Sequence, residues 1–489
     1  MNKITTCLIA ITILLCSTIQ AKTLVADAGI AAKPLQDCKT DLRYLNQVLG
    51  WQVKWPKQWQ GTTTSSPDSI NEALEMWSQF PAALNQTIDI LRTSIPNKQT
   101  APRAVVIRVH QQVRDLAEAL HNKNSKYIFT ETNNKNAIKW NALIKHKIAP
   151  AVADFEHFIH KEYMPASTAD SGFSSLKGGN KCFSNSVKWW TTLSPSMAEI
   201  EAIGQKYLKD SRKQLLATGK AGDTVESILA DLRTQSKENG VLAGELVTLS
   251  ESAITRAKNK SKRWFSKEIN KKIVVTVMPK YMQDSAPAGY YSKAQGDEPA
   301  SYIINTSRSN ERHLMSEVIA FHEGIPGHHL WVTYPREIPS KGYNSGILEG
   351  WALYSEYLAD EMGLYSSTFD RQGMLTKHLW TASRLIVEPG LHLRGWSRDD
   401  AINFMIKNTV MSQAEIEIEV DRYIAMPGQS LSYMLGADLI LSERQRAKEI
   451  LGKSFDIAAF HDVILTAGVR PLPQVTRDIH LWTTNLQGD

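Results

Sequence analysis

The chain has 489 residues, 42% hydrophobic and 22% charged, with 27 glycines and 19 prolines. At about 150 residues per domain this is a body of roughly three domain-equivalents, which excludes a disordered, collagen-like or disulfide-dense chain. The net charge of +6 is the small excess of 56 Lys and Arg over 50 Asp and Glu. There is no long basic block, so nucleic acid is not expected as a partner.

Residues 1–21 read as a secretory signal: Lys3 supplies the positive start, residues 7–15 an apolar run, and Ala21 the small residue at the cleavage point. The run is short of the ~20 apolar residues of a spanning helix. Leu15 before Cys16 is not the small residue that a lipid-anchoring site requires. The expectation is an exported, periplasmic chain, soluble after cleavage, with no stable membrane insertion. Cleavage removes Cys7 and Cys16 and leaves Cys38 and Cys182. In an oxidising compartment these are candidates for one disulfide, the alternative being two buried thiols.

Helical spacing follows. Within residues 68–93 it is carried by Ile70, Leu74, Trp77, Leu84, Ile88 and Leu91, and after Pro102 by Val106, Val109, Val113, Leu116 and Leu120. These stripes are core packing. Residues 165–181, rich in Ser, Gly and Ala, read as a loop. Ser194-Pro195 forms an N-cap with proline at the first helical position, and Ser196 with Glu199 an overlapping capping box. Further helices fit residues 223–237 and 241–266. Residues 272–278 (KIVVTVM) and 301–305 (SYIIN) read as strands with turn-rich sequence between them, a small sheet in a helical protein.

The chemistry is concentrated next. His322-Glu323-Gly-Ile-Pro-Gly-His328-His329 is followed, twenty residues on, by Glu349-Gly-Trp-Ala-Leu-Tyr-Ser-Glu356. A zinc hydrolase needs three protein ligands, an open position for water and a base beside it. In His-Glu-x-x-His the two imidazoles share a helix face. Here His328 is six residues after His322, about 120° off its face, and His329 is seven after it, on the face but about 10.5 Å further along. Neither pair could hold one ion on an unbroken helix. Pro326-Gly327 is therefore either a helix end or the device that absorbs a two-residue insertion.

The second segment resembles the Asn-Glu-Gly-Phe-Ala-x-Tyr-x-Glu stretch of zinc aminopeptidases, in which the first Glu is the third ligand. With it, the chain resembles the bacterial family called domain of unknown function 885 (DUF885), grouped with the gluzincin-type zinc metallopeptidases. The resemblance also rests on Gly179-Asn-Lys-Cys182-Phe, Thr191-Thr-Leu, Glu199-Ile-x-x-x-Gly204, Tyr302-Ile-Ile-Asn305, Arg422-Tyr423, Pro427-Gly-Gln-x-Leu-Ser-Tyr433-x-x-Gly436, Phe455-Asp, Phe460-His461 and Gly468-x-x-Pro471-Leu472. These marks span about residues 179–473.

The resemblance implies one Zn2+, with His322, His328 and Glu349 as ligands and Glu323 as general base. His328 is preferred over His329, which would sit behind the ligands or face substrate. Glu356 would orient a ligand imidazole or lie on the surface. Tyr433 is the first candidate donor to the developing oxyanion, with Arg422, Tyr423 and His461 behind it. The strand ending at Asn305 would be an edge strand that pairs with extended peptide, and Tyr291 would line the same cleft. The expected fold is mainly α: a large helical zinc-peptidase-like body with a small β-sheet beside the motif helix and a deep central cleft. The expected regions are an N-terminal helical one, 22–265, and a catalytic one, 266–489, in one continuous unit. The function implied is that of an exported zinc peptidase acting on peptides. The alternatives are a non-catalytic binding protein of the same fold and a non-peptide amidase.

Overall fold

Pro81 divides the first helical stretch. It lacks a backbone N–H and begins a new helix, so residues 68–93 form two: α1 (Pro67–Ser78) and α2 (Phe80–Ser94). The structure, a computed structural model, describes residues 45–55, 67–122, 127–129, 135–169, 172–238, 240–283, 286–294, 298–337 and 342–488. The signal segment 1–21 and Cys38 lie outside them. The chain divides into two compact units. The first takes the residues up to Cys182 with Ile424–Met426, and the second Phe183–Tyr423 with Pro427–Asp489. The division between the units thus falls at 182/183.

In the first unit, α3 (Arg103–His121) buries Val106, Val109, Val113, Leu116 and Leu120, the spacing read from the sequence. It packs on α4 (Ala149–Phe158). Trp55 stacks on Phe80 at 5.4 Å and meets Trp77 edge-on at 5.3 Å, an aromatic core for this unit.

The expected loop at 165–181 ends early. Gly178 turns the backbone at φ +78°, and α5 (Gly179–Thr191) starts directly after it. Cys182 on α5 is disulfide-bonded. α6 (Met197–Leu216) takes Ser196 as its N-cap, not Ser194. Glu199 N–H donates to Ser196 Oγ at 3.2 Å and Ser196 N–H to Glu199 Oε2 at 2.7 Å, so the box satisfies two donors where a Ser-Pro cap satisfies fewer. α7 (Val225–Glu238) and α8 (Ala243–Lys260) follow as expected.

The sheet has three strands in the order β1 (Ile273–Val277), β3 (Ala300–Ile304), β2 (Gly289–Ser292), with β1 parallel and β2 antiparallel to β3. The strand before Asn305 is therefore central. Both of its edges are already paired, so it cannot receive an extended peptide as the edge-strand reading required.

Further helices of the second unit that bear on the site are α9 (Ser316–Glu323), α10 (His328–Thr333), α11 (Ser345–Glu361), α12 (Thr368–Leu393), α13 (Gln413–Ala425, its last two residues in the first unit), α14 (Leu431–Leu451) and α15 (Ile457–Leu465). α12 runs through the middle, packing on α6, α9 and α14, and from Gly373 to His392 every residue but the half-buried Trp380 is buried. Its buried Lys377, His378, Arg384 and Glu388 are polar groups that need partners there. Among the described residues no helix is long and apolar enough to cross a membrane.

Candidate metal centre

α9 ends conventionally, with Gly324 N–H donating to Ala320 O at 2.9 Å. The chain then makes an excursion through Gly324-Ile325-Pro326-Gly327, with the Ile325–Pro326 peptide cis. Gly327 N–H donates to Phe321 O at 3.0 Å, a bond spanning six residues where an α-helix spans four. Two residues are thus looped out, and helical bonding resumes with Trp331 N–H to Gly327 O at 3.0 Å. His328 takes the position that an i+4 residue would have. Both glycines are needed for space. A Cβ on Gly324 would lie 2.6 Å from Ala320 O, and one on Gly327 2.5 Å from Phe321 O and closer still to His322 O. The loop is pinned by α11: Trp351 Nε1 and Ser355 Oγ both donate to Pro326 O, at 3.0 and 3.1 Å.

The same helix supplies Glu349. Its Oε2 lies 3.4 Å from His322 Nε2 and 3.4 Å from His328 Nε2, and the three ligand atoms fall within 4.8 Å of one another. The imidazoles stand edge to face, 4.9 Å apart. Glu349 Oε2 is buried and has no hydrogen-bond partner. Zinc bonds of about 2.0–2.1 Å in a tetrahedron separate ligand atoms by about 3.3–3.4 Å, so the two 3.4 Å separations fit one ion held by three protein ligands. Burial opposes ionisation of Glu349, but His328 and His322 hold its carboxyl well below the usual range.

Glu356, fully buried, settles the tautomer of His322. Nδ1–H donates to Glu356 Oε1 at 2.6 Å, which leaves the Nε2 lone pair toward Glu349. Glu356 also pairs with Lys377 and lies 3.2 Å from His378 Nε2. Burial opposes its charge, but Lys377, His322 and His378 hold its pKa far below the carboxylate norm. Burial and Lys377 oppose a proton on His322, yet the carboxylates of Glu349 and Glu356 outweigh them and raise its pKa.

His329 is not part of this set. Its Nε2–H donates to Lys271 O at 3.0 Å, and Nδ1 faces the Tyr291 hydroxyl at 3.3 Å. Burial pushes His329 toward the neutral form and the Tyr291 phenol up to about 12. The pair ties α10 to the sheet.

Glu323 ends α9 beside His322. It is buried at 8% exposure, without a hydrogen bond to any described residue. Tyr433, on α14, stacks its ring 6.0 Å from that of His322, and its hydroxyl makes no hydrogen bond to a described residue. A close crossing brings it there. A Cβ on Gly350 of α11 would lie 2.6 Å from Gly436 Cα of α14, one turn beyond Tyr433, and Ser345 Oγ bonds Ser432 Oγ at 2.7 Å.

Four further candidates are spent on structure. His461, fully buried, donates from Nδ1 to Trp264 O at 2.8 Å and accepts at Nε2 from Tyr354 at 2.8 Å, and burial lowers its pKa to about 3. The Tyr423 hydroxyl accepts from Trp380 Nε1 at 3.0 Å and Arg384 Nε at 3.1 Å. Arg422 is engaged with Glu419 and Gln429. Asn305 Nδ2 donates to Gln283 O at 2.7 Å and Pro287 O at 3.1 Å, while its Oδ1 accepts from Ser307 at 2.9 Å, so the amide serves its own loop. The sequence reading passed over Lys377, His378 and Arg384 because no motif marks them.

The profile of the family described as bacterial protein of unknown function (DUF885) matches residues 16–479. Two solved structures are similar in fold. One is a protein from Colwellia psychrerythraea, provisionally described as a lipoprotein, with a TM-score of 0.82 and 24% identity over 91% of this chain and 81% of that one. The other, from Shewanella oneidensis, provisionally described as a lipoprotein of unknown function, has a TM-score of 0.65 and 16% identity over 94% and 92%. No curated protein shows significant similarity.

Proposed function

The chain belongs to the DUF885 family, whose description carries no function, and we propose that it is an exported zinc-dependent peptidase. One observation carries the reading. Across the Gly324–Gly327 excursion, an otherwise orphaned Glu349 oxygen lies 3.4 Å from both His322 Nε2 and His328 Nε2, the separation of ligands on a tetrahedral ion, and the three atoms gather within 4.8 Å. Bound zinc would supply Lewis-acid polarisation of the scissile carbonyl and a water of lowered pKa.

The chain's own residues do the rest. Glu323 takes the proton of the attacking water and delivers it to the leaving nitrogen. The Tyr433 hydroxyl, uncommitted elsewhere, donates to the oxygen on which negative charge develops. Glu356 keeps the Nδ1 proton on His322, so that Nε2 remains a donor of electrons. The net reaction adds one water across the peptide bond, giving a carboxylic acid and an amine.

The test is metal analysis with peptide hydrolysis. The wild-type protein should hold one zinc and cleave a mixed peptide library, and Glu323→Gln should keep the zinc and lose turnover by about 10²–10⁴-fold. A zinc-free wild type that hydrolyses nothing when zinc is added would refute the reading.

A further inference from the structure

Next to the candidate centre lies positive charge that its acidic neighbour does not cancel. Arg384 on α12 and Arg422 on α13 share one carboxylate, Glu419. Arg384 Nη2 lies 3.1 Å from Oε2, and Arg422 reaches Oε2 from Nη2 at 2.7 Å and Oε1 from Nε at 3.2 Å. Burial opposes the charge on Glu419, yet the two guanidiniums hold it ionised, with its pKa lowered to about 2. The trio therefore carries a net single positive charge. The nearby Glu388 is fully buried and is spent on the 428–430 turn, where it accepts from Gly428 N–H and from Ser430.

Arg384 is also held in place. Its guanidinium lies 4.3 Å over the Trp380 ring and 4.7 Å over the Tyr433 ring, and Nε donates to Tyr423. Nη1 has no partner among the described residues. One aromatic ring, Tyr433, separates this guanidinium from the ligand His322. A buried excess of positive charge is costly and adds nothing to the fold that apolar residues would not. It is suited to a ligand anion that arrives beside the reacting bond.

A peptide brings two terminal charges. Capture of its amine requires an uncommitted acid, and the carboxylates at this centre are committed: Glu349 to the ligand set, Glu356 to Lys377 and His322, and, on the reading above, Glu323 to the proton of the attacking water. Resting on the peptidase reading above, we infer that Arg384, with Arg422 balancing the charge of their shared Glu419, anchors the C-terminal carboxylate of the substrate. The protein is then an exopeptidase that shortens peptides from the carboxyl end.

The experiment uses the full zinc-loaded chain and one peptide in three forms: free acid, C-terminal amide and N-acetylated. The free acid should exceed the amide in kcat/KM by about 10²-fold, N-acetylation should matter little, and mass spectrometry should show loss from the carboxyl end. In Arg384→Met the acid-to-amide ratio should fall toward one. Should that variant not fold, calorimetric binding of acid and amide to Glu323→Gln protein gives the same comparison, with the acid bound more tightly. Equal cleavage of acid and amide, or shortening from the amino end, overturns the anchor and leaves the peptidase standing. Neither cleavage nor binding of any form overturns both.

Discussion

Replacing Glu356 by Gln changes almost no volume but removes the one charge that both His322 and Lys377 face. Two effects should separate. Lys377 is 7% exposed and would keep a buried charge without its acid. Breaking such a pair costs about 3–5 kcal/mol, readable as a lower denaturation midpoint of the metal-free protein. The His322 Nδ1–H would retain only a neutral acceptor, and loss of such support lowers metal affinity by about 10–100-fold, readable by competition with a chelator. The double variant Glu356→Gln/Lys377→Met removes both buried charges and should recover most of the stability. Its zinc affinity should stay as weak as in the single variant, because the imidazole still lacks its carboxylate. Wild-type zinc affinity in either variant would show that Glu356 supports the fold and not the ligand.

Three other outcomes follow from the geometry. Gly327→Ala should destabilise the protein by about 1–3 kcal/mol and weaken zinc binding, since the new methyl would lie 2.5 Å from Phe321 O; unchanged zinc affinity would mean that the excursion does not position His328. His328→Ala should lose the zinc while His329→Asn keeps it at lower stability, and the reverse pattern, by metal analysis, would exchange their roles. Glu388 has a folded pKa raised by burial to about 7, against about 4.3 unfolded. Between these values the native state keeps a proton that the unfolded chain has lost, so stability falls as pH rises from about 4 to 7. This contribution, about 4 kcal/mol, should be missing in Glu388→Gln, and parallel urea-derived stability curves for the two proteins from pH 4 to 8 would rule it out.

The helices within 68–93, after Pro102 and between 196 and 260, and two of the three strands, were legible because periodicity and caps are local. β2 was not: Gly289-Tyr-Tyr-Ser lies among prolines and glycines, and its partner β3 comes later in the chain. Nor could alternation in Tyr302-Ile-Ile-Asn305 reveal how many neighbours that strand has. The ligand set was legible as residue types at a spacing, with His328 preferred from the resemblance, but the physical reason for His328, the six-residue hydrogen bond at Gly327, was not. His461 and Tyr423 share motif-like segments with Tyr433. Only the structure separates them, through acceptors and donors that already use their polar atoms. Lys377 and Arg384 stayed hidden because α12 is buried all round, so no polar face marks them as unusual.

The centre's geometry depends on α11 more than on the helix bearing its first histidine. α11 holds the looped-out peptide through Trp351 and Ser355, supplies Glu349, and supplies Glu356 two turns later to orient His322. Its glycine contact with α14 also sets where Tyr433 stands. A shift of this one rod would therefore move the second imidazole, the carboxylate ligand and the hydroxyl donor together. That is a physical reason for Gly350 and Gly436 to meet backbone to backbone. With no side chain between them the crossing has little freedom to slide, and groups drawn from positions 322 to 433 stay in register at one point.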